Sequence, residues 1–165
     1  MKVIVASLLM ISWLLGSGWL LWLDQQALFG EFDPNRQWQH APLTMAQLSG
    51  LSVETADNTL IHVQNPACRC HNEHSNHIQQ LQQQYPDIQH VKVSIQQLAE
   101  HGIHLPAAPM TIWLQPEQLR YAGPYSAGAS CGQGGNLLEP LLAGDIALAG
   151  SWLNSETSSC RCLNS

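Results

Sequence analysis

The chain has 165 residues, enough for one domain and an added segment at about 100–200 residues per domain. Six Lys and Arg stand against twelve Asp and Glu, a formal charge of −6. Binding nucleic acid needs cations that displace counterions from phosphates, so this balance, with no basic run anywhere, argues against a nucleic-acid partner.

The first element is apolar. From Val3 to Leu23 no residue is charged. At about 1.5 Å rise per residue, such a run crosses a hydrocarbon core about 30 Å thick. Lys2 precedes the run and Asp24 follows it. Positive charge ahead of the run predicts a cytoplasmic N-terminus and an extracytoplasmic remainder, periplasmic in a bacterium. A cleaved signal peptide is the competing reading. Its apolar core is shorter, about 7–15 residues, and ends in a small-x-small site. Leu23-Asp24-Gln25-Gln26-Ala27 offers no such site. The expectation is a retained single-pass anchor over 1–24, with Trp19 and Trp22 in an interfacial aromatic belt. Either reading exports the domain, where cysteines meet an oxidising milieu. There are five: Cys68, Cys70, Cys131, Cys160 and Cys162. The odd count leaves at least one free, intermolecular or metal-bound.

A connector over 25–43 follows, mixing Gly, Pro and aromatics without period, with Phe32 and Trp38 as its packing residues. Thr44 is placed to cap a short helix through Leu48, and Gly50 to stop it. Thr59–Gln64 is apolar and rich in strand formers, and reads as a buried strand. Cys68-Arg69-Cys70-His71 comes next and opens a helix to about Gln84, with Ile78, Leu81 and Tyr85 on one face. Pro86 ends it. Ile88–Val93 reads as a second strand. Ser94 caps a helix over Ile95–His101 that Gly102 terminates. Met110–Leu114 is a strand with Trp113 in the core, and Leu119–Ala122 returns beside it as a hairpin. A Gly- and Ser-rich stretch leads to Asn136, which is placed to cap a helix through Ala143. The stretch from Asp145 to Trp152 fits helix and strand equally, and the tail from Asn154 is polar and ends in Cys160-Arg161-Cys162. Alternating strands and helices followed by a hairpin imply a parallel pair with an antiparallel extension.

Over about Thr59 to Gly123 these residues resemble the thioredoxin superfamily. A buried strand ends in Asn65-Pro66-Ala67, cysteines then open a helix, Pro109 starts a later strand, and a hairpin ends in Gly123. The resemblance implies an α/β fold, a thioredoxin-like β-α-β-α-β-β-α sandwich over 44–145. One N-terminal transmembrane helix precedes it, and an extension over 146–165 carries the second Cys-Arg-Cys. It also implies that Cys68 is the nucleophile, that Pro109 is cis, and that Ala108-Pro109 contacts substrate. The family motif is Cys-x-x-Cys. Here it is Cys-x-Cys, with His71 where the second family cysteine falls, so Cys70 is the candidate resolving residue.

Three chemistries compete at this motif. In the redox reading, a helix N-terminus stabilises the Cys68 thiolate, aided by Arg69 and protonated His71. A Cys68–Cys70 disulfide closes a very small ring, whose strain favours an oxidant or isomerase over a reductant. In the metal reading, Cys68, Cys70, His71, His74 and His77 supply thiolate and imidazole suited to copper or zinc. Ile78 and Leu81 share nearly that helix face, however, which makes His74 equally a packed side chain. In the third reading, the cysteines are crosslinks in a redox-inactive binding module. Cys160 and Cys162 are either an adventitious pair on a disordered tail or a tethered second dithiol that exchanges with Cys68. Cys131, in a Gly-rich loop without the Lys-Ser/Thr of a phosphate cradle, is a further candidate thiol. The leading expectation is a membrane-tethered thiol–disulfide oxidoreductase or isomerase. It acts outside the cytoplasm on thiols or disulfides of exported proteins, with no resident metal or cofactor assigned.

Overall fold

The computed structural model describes residues 2–49, 51, 58–69, 71–116, 118–128 and 135–163. Helix α1 (Lys2–Leu28) is the apolar run extended past its charged boundary, and it continues directly into β1 (Phe29–Glu31). Its apolar side chains are exposed all round, and the segment Lys2–Gln26 is long and apolar enough to cross a membrane. Such a helix near an N-terminus also fits a signal sequence.

The connector is more structured than its composition indicates. Asp33 accepts hydrogen bonds from the amides of Gln37 and Trp38, both at 2.8 Å, and so starts helix α2 (Gln37–His40). Phe32 and Trp38 are buried against each other, as expected. Thr44 precedes α3 (Met45–Ser49), but its hydroxyl is directed to the Gln47 side chain. Gln47 in turn accepts from the Thr44 amide, which is one half of a capping box.

The central sheet follows the sequence expectation closely. Strand β2 (Thr59–Gln64) is buried on both faces. Helix α4 (His71–Gln84) crosses to β3 (Gln89–Ser94), which pairs parallel with β2. Ser94 and Gln97 form a full capping box that opens α5 (Ile95–Glu100). Gly102 at φ 74° supplies the left-handed exit. After the short β4 (Ala107–Ala108) come β5 (Met110–Gln115) and β6 (Gln118–Gly123), the expected hairpin. Further along lie β7 (Ser126–Ala127), β8 (Gly135–Asn136), α6 (Leu138–Leu142), β9 (Trp152–Leu153), β10 (Ser158–Cys160) and β11 (Cys162–Leu163). The five-stranded order is β3-β2-β5-β6-β9. Its parallel crossover, central antiparallel strands and flanking helices make the thioredoxin-like sandwich.

Each face of the sheet has its own core, because side chains alternate along every strand. Ile61, Val63, Ile112 and Leu114 pack with Ile95, Leu98, Phe32 and Trp38 on one side. Leu60, Trp113 and Tyr121 pack with Ile78, Leu81, Leu138 and Leu141 on the other.

Three expectations are corrected. Asn136 is not the cap of the helix that follows. It pairs with Ser126 across β7 and β8, and Leu137 holds the cap position without a side-chain bond. The stretch from 145 to 151 forms neither helix nor strand, and only Trp152–Leu153 joins the sheet, parallel to β6. The tail is not disordered: β10 pairs with β1 and β11 with β4. A polar tail is ordered here because its backbone finds partners along two edges, which composition does not reveal. Gly50, Cys70, Glu117 and Cys131 lie outside the described residues, and so do 52–57 and 129–134.

Candidate redox site

Strand β2 delivers the chain to a turn. Asn65 bends it twice: its side-chain oxygen accepts from the Ala67 amide and its carbonyl from the Cys68 amide, each at 3.0 Å. Cys68 therefore sits on this turn, just ahead of the first helical turn of α4, which begins at His71. It is buried, at 4 % exposure.

The partner of Cys68 is Cys162. The two sulfurs are bonded at 2.07 Å with Cα atoms 5.9 Å apart, across 94 residues of chain. The small ring with Cys70 envisaged from the motif is therefore not the bond that Cys68 makes. The inference of an oxidising potential from that ring loses its basis. Of the two readings of the tail cysteines, an adventitious pair or a dithiol that meets Cys68, the bond joins Cys68 to one of them, Cys162. Cys162 lies opposite Ala108 in the antiparallel pair of β11 and β4, and Leu163 opposite Ala107. Ala108-Pro109 is the cis peptide bond expected from the resemblance. The structure thus brings Cys68, Cys162, Ala108 and Pro109 together, with the tail lying along the backbone just before the proline.

Cys160 is also disulfide-bonded, and it packs against Cys68 and Cys162. None of the described cysteines is free. Between the two tail cysteines, Arg161 works as an anchor. Its amide donates to the Leu28 carbonyl at 2.7 Å, and its Nε donates to the Glu31 carbonyl. Its guanidinium lies so close to Gly30 that a Cβ there would meet Nη2 at 2.7 Å. Burial lowers its pKa, and nearby Glu31 opposes this. Arg69, in the first Cys-Arg-Cys, instead reaches the end of α1. Its Nη1 donates to both carboxylate oxygens of Asp24, at 2.7 and 2.9 Å.

A second polar cluster lies beneath α4 and was not singled out from the sequence. Tyr125 is fully buried, and its hydroxyl is 2.8 Å from His62 Nδ1. His62 Nε2 is 2.9 Å from His90 Nδ1, and His90 Nε2 is 3.1 Å from the Tyr85 carbonyl. That carbonyl can only accept. With all rings neutral, the tautomers follow: His90 donates through Nε2, His62 donates through Nε2 to His90, and Tyr125 donates to His62. Burial is the first cause that lowers the His62 pKa to about 3, and His90, Lys92 and His77 add to it. Burial likewise raises the Tyr125 hydroxyl well above its ordinary value, and a bond with Thr111 opposes it. His74 and His77 pack edge-on against the Tyr125 ring, as the shared face with Ile78 and Leu81 allowed. The available signal was a histidine inside an apolar strand, Leu60-Ile61-His62-Val63. Among the described residues no three His, Cys, Asp or Glu side chains are grouped to hold a metal. Cys70 and the side chain of His71 lie outside that description.

The family profile named "Domain of unknown function (DUF6436)" matches residues 36–164, most of the chain. The chain belongs to this DUF6436 family. The matched region holds all five cysteines and Pro109, whereas α1 precedes it. No curated protein matches the chain. Among solved structures, it is similar to mitochondrial thioredoxin 3 from Saccharomyces cerevisiae in its oxidized form. The two are 20% identical, and the likeness covers 62% of this chain and 91% of that one with a TM-score of 0.43.

Proposed function

We propose that this DUF6436 member is a thiol–disulfide exchange protein whose working pair is Cys68 and Cys162. The observation that carries the reading is the bond between the turn before α4 and a tail strand lying beside Ala108-Pro109. Cys68 stands close to a helix start, where backbone N–H groups favour a thiolate. Cys162 is the more exposed member of the pair. A substrate thiolate attacks Cys162 Sγ, the old S–S bond breaks, and its electron pair leaves on Cys68 as thiolate. A second substrate thiolate then attacks the substrate sulfur of the mixed disulfide and releases Cys162. The substrate has gained a disulfide, and the pair has gained two electrons and, on protonation, two thiols. The same steps reversed reduce a substrate disulfide. Cys70, Cys131 and Cys160 are candidate secondary redox cysteines in this scheme.

We place the domain outside the cytoplasm, tethered by α1. Lys2 before the apolar run supports that orientation, and stable disulfides suit an oxidising compartment. Its substrates would be thiols or disulfides of exported proteins.

The test is oxidation of a dithiol peptide by the purified full chain in detergent, with glutathione disulfide as terminal oxidant. Cys68→Ser and Cys162→Ser should each reduce the rate at least about ten-fold while circular dichroism stays native. Wild-type rates in both variants would leave the bond as a structural crosslink in a binding module.

A further inference from the structure

We propose that the physiological partner of the Cys68–Cys162 pair is a membrane protein whose reacting sulfur lies within the first two helical turns beyond its apolar span. This rests on the exchange reading above and names the partner of that same site. The argument is one of height. Helix α1 is continuous from Lys2 to Leu28 and passes into β1 at Phe29 with no linker. Its last apolar residue before the charge is Leu23. Arg69, beside Cys68, and the tail segment Cys160-Arg161 are both fastened to the stretch just beyond. Arg69 grips Asp24 through both carboxylate oxygens. The Arg161 amide bonds the Leu28 carbonyl, and Cys160 lies opposite Phe29 in the β1–β10 pair.

Five helical residues from Leu23 to Leu28 rise about 8 Å. The headgroup layer on each side of a bilayer is roughly 5–8 Å deep. The pair is thus held level with the headgroups instead of swinging on a flexible stalk. Trp19 and Trp22, whose rings are 5.2 Å apart, lie just below and suit the interface that would set this depth. A sulfur a few residues beyond another protein's own span meets the pair at the same level. Confinement to one membrane also raises its effective concentration.

The probe is a single-span Leu/Ala peptide with a rigid helical extension and one cysteine, placed about 5, 12 or 20 residues beyond the span. Each cysteine is blocked as its thionitrobenzoate disulfide, and the peptide is co-reconstituted with the reduced full chain in phosphatidylcholine vesicles. The protein thiolate displaces thionitrobenzoate, whose absorbance reports the rate. The nearest position should react at least about ten-fold faster than the farthest. Inserting about seven helix-forming residues between Leu23 and Asp24 raises the site by roughly 10 Å, and the optimum should move outward with it. A flat profile, a maximum at the farthest position, or an optimum that ignores the insertion overturns the proposal. A soluble version of the peptide separates the two readings. If it too releases no thionitrobenzoate, the exchange chemistry itself fails and this inference falls with it.

Discussion

His62 contributes a loss of stability toward acid pH. Its ring is buried under α4 and held neutral, with a folded pKa of about 3 against an ordinary 6.5. The unfolded chain binds that proton far more readily. Stability from His62 is therefore complete above about pH 6.5 and is lost as pH falls toward 3. The slope from this one group is at most about 1.4 kcal/mol per pH unit. Denaturant titrations across that window should show it, with His77 adding in the same direction because its pKa is also lowered, by burial first. A His62→Phe chain should give a flatter profile. Were the wild-type slope flat as well, the buried ring would have to be charged or solvated. Tyr125→Phe tests the adjoining link. It removes the donor to His62 Nδ1 and leaves a buried acceptor unpaired, at a cost of about 1–3 kcal/mol at neutral pH.

At the scale of elements, the tail strands are the point of interest. Gly123 ends β6 where the chain at Asn154 runs beside it, continuing the parallel pair with β9. A Cβ there would lie 2.8 Å from Asn154 Cβ and 3.2 Å from its carbonyl oxygen. The Asn154 amide also bonds the Ala122 carbonyl at 2.8 Å, so neither backbone has room to give. Gly123→Ala should cost about 1–3 kcal/mol as overpacking, read by thermal melts of the oxidised protein. Gly30→Ala acts differently, because the atom it meets is the mobile end of Arg161. The φ of 158° at Gly30 is also one that side chains rarely adopt, so the substitution should cost about 1–3 kcal/mol of backbone strain as well as loosening β10 and β11, seen as faster hydrogen exchange at Cys160 and Cys162. The resemblance and the patterning made β2, α4, β3, α5 and the β5–β6 hairpin legible, because each has its own period and its own cap or stop. Strands β9, β10 and β11 were not legible. They are two or three residues long, too short for a period, and exist only because β6, β1 and β4 offer edges.

For the molecule as a whole, the Cys68–Cys162 bond ties the last residues to the first crossover. A lone crosslink over 94 residues stabilises by about 4–5 kcal/mol in chain-entropy terms. Cys162→Ser should cost less than this, because Cys160 is itself disulfide-bonded and still holds the same tail. The double Cys160→Ser, Cys162→Ser chain should lose more than the single variant, measured by urea unfolding. Equal losses would mean that the second bond adds no constraint. At this scale the structure also makes the N-terminal helix part of the architecture. α1 leads into β1, β1 pairs with β10, and β10 precedes the cysteine that bonds Cys68.

Local chemistry determined much of this protein. An uncharged run long enough to cross a bilayer, strands and helices with clear periods, capping residues at Ser94 and Gly102, and a cysteine placed between a strand and a helix are all written in consecutive residues. Pairing was decided by tertiary structure alone. Five cysteines admit many connectivities, and nothing local distinguishes a bond over two residues from one over 94. The choice of Cys162 depends on backbone edges that face each other only after the sheet has formed. The same holds for His62, His90 and Tyr125, which lie far apart in sequence and become one hydrogen-bonded chain only once β2 and β3 are paired and the segment after β6 packs against them.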